Sequence, residues 1–193
     1  MIQKIKVAIF ISGKGSNALN LISYFKEHPK IEVELVFSTR PNDELFQACE
    51  RADVNFIEFK KETGVWNVEA MKLCSSLNID FIVLAGFLKK VTSDIIEAFP
   101  NRIINLHPSL LPKFGGKGMY GKFVHEAVLA SGEKKSGITI HYVNEAFDEG
   151  EIIAQFEIAI TENDDVSSLA KKINDLEMEH LPIVLTKLID SIE

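Results

Sequence analysis

Val7-Ala-Ile-Phe-Ile-Ser-Gly-Lys-Gly-Ser-Asn-Ala-Leu-Asn-Leu-Ile-Ser-Tyr-Phe25 decides how the rest of this chain reads. Its first five residues are uninterruptedly apolar, the pattern of a strand buried on both faces. Ser12-Gly13-Lys14-Gly15-Ser16 then punctuates the chain. Ala18, Leu21, Ile22 and Phe25 follow at i, i+3, i+4 and i+7, one face of a helix. The same alternation continues, with strands at 33–37, 56–59, 81–85 and 103–106 and helical patterns at 45–52, 68–77 and 94–99. Strands alternating with helices imply right-handed crossovers and a parallel sheet covered on both faces. Gly137–Val143 and Glu151–Ile160 are separated by only seven residues, too few for a parallel crossover, so they are expected to extend the sheet antiparallel. A last amphipathic helix runs from Val166 past Ile173, Leu176 and Leu185, and Pro182 is expected to kink it. The fold class is α/β, in three layers, with a mostly parallel sheet and antiparallel C-terminal strands.

The 193 residues fit one domain spanning 1–193, without internal repeats, low-complexity tracts or linkers. Lys and Arg number 21 against 28 Asp and Glu, a net charge of −7 that argues against a nucleic-acid binder. Apolar residues at 46% and charged residues at 25% exclude disorder. No stretch approaches the ~20 apolar residues of a membrane helix, and the N-terminus lacks a signal-peptide pattern, so no membrane association is expected and the cytoplasm is the expected compartment. Cys49 and Cys74 sit in apolar helical patterns and read as core residues, with no disulfide framework or metal-ligand spacing.

Ligands of such sheets bind outside the carboxyl ends of the strands, so the post-strand loops carry the functional reading. Three are unusual: 12–17, 105–121 and 144–150. In the first, glycines admit a ligand close to the backbone, and the following helix offers unpaired N–H groups to an anion. Gly13-x-Gly15-x-x-Ala18 also matches a dinucleotide fingerprint, but the second strand ends Phe37-Ser-Thr-Arg40, without the ribose-binding acid, although the arginine suits a phosphorylated dinucleotide. Ser16 and Asn17 read as donors for a terminal phosphate; a plain glycine turn with Ser16 as a helix cap is the competing reading. In the second loop, Asn105 and His107 lie two apart at a strand end and face the same side, with Pro108 directing the chain away. An amide and an imidazole converging on one point can hold an oxyanion and move a proton. His28, His125 and His180 read as ordinary. In the third, Asp148 supplies a carboxylate suited to holding an imidazolium and raising its pKa.

Ile11-Ser-Gly-Lys-Gly-Ser-Asn17, Val83-Leu-Ala-Gly-Phe87, Asn105-Leu-His-Pro-Ser-Leu-Leu-Pro112 and Gly137-Ile-Thr-Ile-His-Tyr-Val143 with Asp148-Glu-Gly150 occur in that order. With them the chain closely resembles the folate-dependent phosphoribosylglycinamide formyltransferases of purine biosynthesis over essentially its whole length. The resemblance implies the formyltransferase fold, with a Rossmann-like sheet. It implies a direct transfer from 10-formyltetrahydrofolate, as co-substrate, to the amine of phosphoribosylglycinamide. It assigns Asn105, His107 and Asp148 to catalysis, Gly15, Ser16 and Asn17 to the substrate phosphate, and Glu179 to its ribose. Leu88, Lys89, Lys90, Val91 and Asn105, with the 144–148 loop, are assigned to the folate. No metal is implied, and the state is expected to be monomer or homodimer. Two departures stand out. The family often has an Arg after the third strand, where this chain has Lys60-Lys-Glu-Thr-Gly64; and the 114–121 loop is longer than in many members.

Three other readings compete. A methionyl-tRNA formyltransferase needs a tRNA-binding domain and positive charge that 193 residues at −7 do not offer. A formyltetrahydrofolate deformylase uses the same trio on water but matches less at Gly15-Ser16-Asn17. A dinucleotide-binding module explains the glycine loop and leaves Asn105-x-His107 unexplained. Finally, residues 86–122 carry Lys89, Lys90, Arg102, Lys113, Lys117 and Lys122 against Asp94 and Glu97. This is either a solvated surface or an attraction for the glutamate tail of cellular folates.

Overall fold

The computed structural model describes residues 4–60 and 65–191. Strand β1 (Ile5–Ile11) divides its side chains between two cores, Val7, Ile9 and Ile11 on one face and Ala8 and Phe10 on the other. That alternation is why the whole run must be apolar: a central strand has no solvent face. Helix α1 (Ser16–Phe25), β2 (Ile31–Ser38), α2 (Asp43–Ala52), β3 (Asn55–Glu58), α3 (Trp66–Ser76), β4 (Phe81–Ala85), α4 (Ser93–Ala98) and β5 (Ile103–His107) follow in crossover order. Then come α5 (Lys122–Ala130), β6 (Lys135–Tyr142), β7 (Ile152–Ala159) and α6 (Val166–Asp190).

The seven strands lie in the order β3-β2-β1-β4-β5-β6-β7, parallel through β5 and antiparallel from β5 to β7. One core holds Leu21 and Phe25 of α1, Leu45 and Cys49 of α2, Val124 and Val128 of α5, and Leu169, Ile173 and Leu185 of α6. The other holds Ala70 and Cys74 of α3 and Ile95 of α4. These are the three layers expected. Burial pushes the Cys49 thiol up to about 11 and Cys74 up to about 12, so both are inert core groups.

Helix α5 was not foreseen in the sequence, where the glycines of 115–121 drew attention to a loop. The signal is short but present: Val124 and Val128, four apart, are both buried. Pro182 lies buried within α6, which continues as one helix to Asp190. Among the described residues no helix is long and apolar enough to cross a membrane.

Close approach fixes one glycine. A Cβ on Gly150 would fall on the Tyr142 carbonyl, so only glycine lets the chain pass there, two residues after Asp148 and two before β7.

Candidate active site

The strand order reverses between β1 and β4, and the site lies over their carboxyl ends and that of β5. A cavity of about 780 Å³ opens there. Its walls bring together the 13–17 loop, residues 85–88, Asn105, His107, the 116–122 segment, Phe147, Asp148 and the inner face of α6.

On the β1 side, Gly15 takes φ 77° and α1 starts at Ser16 with no side chain capping it. The first intrahelical bond runs from Leu19 N–H to Gly15 O at 2.9 Å, which leaves the preceding amides of the turn for an anion. Asn42 steadies the loop from α2: its Oδ1 accepts from Leu45 N–H at 3.0 Å while its Nδ2 donates to the Lys14 carbonyl at 2.9 Å. Ser16 Oγ donates to Asn174 Oδ1 at 3.1 Å, and Asn17 Nδ2 donates to Glu177 Oε2 at 2.9 Å. Asn17 Oδ1 is buried without a partner.

Glu179 is not part of this wall. Ala170, Ile173, Asn174 and Glu177 recur at i, i+3, i+4 and i+7 and line the cavity, whereas Glu179 lies two residues beyond, about 200° further round the helix. Its side chain is 68% exposed. Glu177, two residues before it, faces the cavity instead. Helical periodicity counted forward from Ile173 finds it, at i+4. Burial pushes the Glu177 carboxyl up to about 6, against the lowering effect of the Asn17 hydrogen bond.

Asn105, His107 and Asp148 do converge. Asn105 Nδ2 donates to Asp148 Oδ1 at 3.3 Å, and His107 Nδ1 lies 3.5 Å from the same oxygen. Gly116 N–H donates to Asp148 Oδ2 at 2.9 Å. His107 Nε2 stands 2.8 Å from the Phe114 carbonyl, which can only accept, so Nε2 carries the proton and Nδ1 is free to take one. A fourth member was missed. His141 lies directly opposite Asn105 across β5 and β6, its Nε2 3.0 Å from Asn105 Nδ2 and its Nδ1 2.7 Å from the Tyr142 carbonyl. Strand alternation in Gly137-Ile-Thr-Ile-His141, with Ile138 and Ile140 in the core, was the available signal.

The electrostatics differ from expectation in one respect. Asp148 does draw the His107 pKa upward, but burial outweighs it and the net shift is down, so the resting imidazole is neutral at neutral pH. Burial pushes Asp148 up, yet the imidazoles of His141 and His107 and the Gly116 N–H together hold it below the ordinary carboxylate value. The carboxylate is charged and waiting for a cation.

The assigned folate residues are divided. Leu88 lines the main cavity, its N–H donating to Ser12 Oγ at 3.0 Å. Lys90 and Val91 line a separate pocket of about 230 Å³ with Thr92, Ser93 and Glu145, and Val91, 5% exposed, belongs mainly to the core beneath α4. Lys89 is exposed and lines neither pocket. Lys60 lies just after β3, and Lys61 falls outside the described residues. His125, read as ordinary, is buried on the cavity wall with Nδ1 lacking a partner. His28 accepts from the N–H of Ile31 at 3.1 Å, and His180 stacks on Phe156 at 3.7 Å between centroids; both are structural. Among the described residues no group of three or more His, Cys, Asp or Glu can hold a metal ion.

Known proteins resemble this chain over nearly its whole length. A family profile described as Formyl transferase matches residues 5–185. The chain is 39% identical over 183 residues to a chloroplastic phosphoribosylglycinamide formyltransferase of Arabidopsis thaliana, covering 91% of this chain and 61% of that protein. It thus spans about three-fifths of the length of the plant relatives it matches. It is 30% identical over 189 residues to phosphoribosylglycinamide formyltransferase of Bacillus subtilis (strain 168), covering 95% of this chain and 94% of that one. The crystal structure of phosphoribosylglycinamide formyltransferase from Bacillus halodurans superposes with a TM-score of 0.87 at 34% identity, over 97% of each chain. The fold, the convergent trio and these likenesses place the chain in the formyl transferase family, within its phosphoribosylglycinamide formyltransferase branch.

Proposed function

We propose that this chain transfers the formyl group of 10-formyltetrahydrofolate to the amine of phosphoribosylglycinamide, by direct attack through a tetrahedral intermediate. The observation that carries the reading is the meeting of Asn105, His107 and Asp148 in the same cavity as an uncapped, glycine-led helix start. The ribonucleotide phosphate sits on Gly15, Ser16 and Asn17, and Glu177 and Asn174 face its ribose. The folate enters on the side of Leu88 and the 144–148 loop.

The amine attacks the formyl carbon, and negative charge grows on the formyl oxygen. An Asn105 N–H, held on Asp148 and His141 in the free protein, turns to that oxygen; a donor of this kind is worth about 2.7–4 kcal/mol. Neutral His107 takes the amine's proton at Nδ1, directly or through water. The imidazolium so formed, stabilised by Asp148 and the Phe114 carbonyl, returns that proton from Nδ1, directly or through water, to the folate nitrogen as the tetrahedral intermediate collapses; the bond from the formyl carbon to that nitrogen breaks, and tetrahydrofolate leaves. The residues fit both substrates without a metal in the scheme. The site is built from one chain, consistent with action as a monomer or homodimer, and the cytoplasm remains part of the proposal.

The reading is tested with purified protein, phosphoribosylglycinamide and a formyl-folate analogue, following release of the deformylated folate by absorbance. Release that requires the ribonucleotide supports transfer. Release at the same rate without it makes the chain a deformylase, and quenching of Trp66 fluorescence by a pyridine dinucleotide instead points to a dinucleotide module.

Two expectations separate the substrates. Asn17→Ala raises KM for the ribonucleotide by about tenfold, the loss of roughly one charge-assisted hydrogen bond, and leaves the folate KM nearly unchanged. An equal rise for both substrates removes Asn17 from the phosphate. The second concerns the basic segment. Lys113 and Lys122 are engaged by Glu133 at 2.7 Å and Glu126 at 3.5 Å, while Lys117 and Lys122 lie on the cavity wall. Exposed contacts are worth roughly 0.2–1 kcal/mol each. Polyglutamylated folate is expected to bind more tightly than the monoglutamate at low salt, with an advantage that shrinks as salt rises. Neutralising Lys89 and Lys90 together should remove part of it; affinity independent of tail length makes these lysines plain surface.

A further inference from the structure

We propose that Gln155 and Thr139, which do not line the cavity, act as positioning residues that set which nitrogen of His107 carries the proton, by clamping the 109–114 segment. The inference rests on His107 being the proton-handling residue of the reaction above.

The hydrogen bonds can be followed atom by atom. Gln155 Nε2, on β7, donates one hydrogen to the Leu111 carbonyl and the other to Thr139 Oγ1, both at 2.9 Å. Thr139 Oγ1, on β6, donates to the Ser109 carbonyl at 2.6 Å and also accepts from Leu111 N–H at 3.0 Å. One donor and two acceptors is the full capacity of a hydroxyl, so Thr139 has nothing to spare. Ser109 Oγ donates across the turn to the Lys113 carbonyl at 2.8 Å. The segment so closed delivers the Phe114 carbonyl to His107 Nε2 at 2.8 Å. Two residues on, Gly116 N–H meets Asp148 Oδ2 at 2.9 Å.

The arrangement is buried where it must hold. Thr139 and Ser109 are fully buried, so a lost partner there is not replaced by water at no cost. Thr139 also stands directly opposite His107 in the β5–β6 pairing. A single clamp thus determines the carbonyl that fixes the proton on Nε2 and the amide that orients Asp148. If the Phe114 carbonyl moves away, the neutral imidazole is free to place its proton on Nδ1, toward Asp148, and loses the lone pair that accepts from the amine.

The experiment reads the tautomer in the free protein, by long-range proton–nitrogen correlation on the imidazole of His107, and reads kcat and KM alongside. Gln155→Leu is expected to shift part of the His107 population to the Nδ1–H form. It should lower kcat by about 10- to 100-fold while both KM values stay within about twofold. It should also move the His107 titration to lower pH, because the Phe114 carbonyl favours the charged ring. Thr139→Ser keeps the hydroxyl and is expected to retain the Nε2–H form, whereas Thr139→Val is expected to copy Gln155→Leu. Should Gln155→Leu fail to fold, the Thr139 pair decides. An unchanged tautomer and kcat in folded Gln155→Leu overturns the proposal, as does identical behaviour of Thr139→Ser and Thr139→Val. Because the tautomer is observed without substrate, a wild-type chain inactive in formyl transfer refutes the proposed function and leaves this measurement standing.

Discussion

His107→Ala and Asp148→Ala each lower kcat by on the order of 10³-fold, and the double substitution is little worse than either. In the proposed mechanism the two groups act on one proton: His107 Nδ1 takes it, and Asp148, 3.5 Å away, stabilises the cation that results. Remove the imidazole and the carboxylate has no cation to hold; remove the carboxylate and a ring already made hard to protonate by burial gains nothing from taking the proton. Losses that multiply in the double variant mean the two act independently, and the pairing is wrong. The pH dependence has a definite sign. His107 must be neutral to accept the proton, and burial holds its pKa below the ordinary imidazole value, so kcat at saturating substrates is flat near neutrality and falls on acidification through that lowered value. Asp148→Asn removes an attraction for the charged ring and is expected to move this limb to still lower pH. A shift to higher pH contradicts the assignment. Both variants should remain folded, since His107 and Asp148 make no contribution to either hydrophobic core.

Glu177→Gln is expected to raise KM for the ribonucleotide by about 10- to 100-fold and to leave the folate KM almost unaffected, the size of one or two hydrogen bonds to a charged group. The carboxylate accepts from Asn17 Nδ2 at 2.9 Å and retains lone pairs for ribose hydroxyls, while an amide offers fewer. Because burial raises its pKa to about 6, the acceptor is fully charged only above that pH. Wild-type KM for the ribonucleotide should therefore rise as pH falls through about 6. A phosphate monoester also titrates near pH 6. The dependence that survives in Glu177→Gln is then the phosphate's own, and the difference between the two profiles belongs to Glu177. Identical profiles remove Glu177 from the ribose. Glu179→Gln, on the solvent side of the same helix, is expected to change neither constant.

The contrast between these two glutamates shows what was legible in the sequence. Loops carrying glycine, proline and a polar pair at a strand end announce a site because nothing in a packed sheet requires them there. Asn105, His107, Ser16 and Asn17 were found that way, and the cavity brings them together. α6 lines the cavity with one face among several, and a motif match along it slipped by two residues, which on a helix is more than half a turn. His141 falls within a strand pattern, and a histidine next to the core residue Ile140 looks structural until the opposite strand is known to carry Asn105. The charged imidazole expected at His107 is reversed by the structure, because the sequence shows the pull of Asp148 and not the burial that outweighs it. Helix α5 is hard to read because its fully buried apolar residues are only Val124 and Val128, behind a glycine-rich stretch that reads as loop.

Ser12 has a bearing on how portable this site is. Its N–H reaches the Gly86 carbonyl at 3.1 Å, and its Oγ accepts from Thr39 Oγ1 at 2.7 Å and from Leu88 N–H at 3.0 Å. The turn after β1 and the turn after β4 are thus sewn together at one hydroxyl, itself backed by the end of β2. A graft of residues 12–17 onto another parallel sheet would carry the glycines and the amides and would leave the neighbouring wall without its anchor. If the two turns bind nucleotide and folate as proposed, exchanging one specificity without disturbing the other calls for exchange of three strand ends rather than one loop.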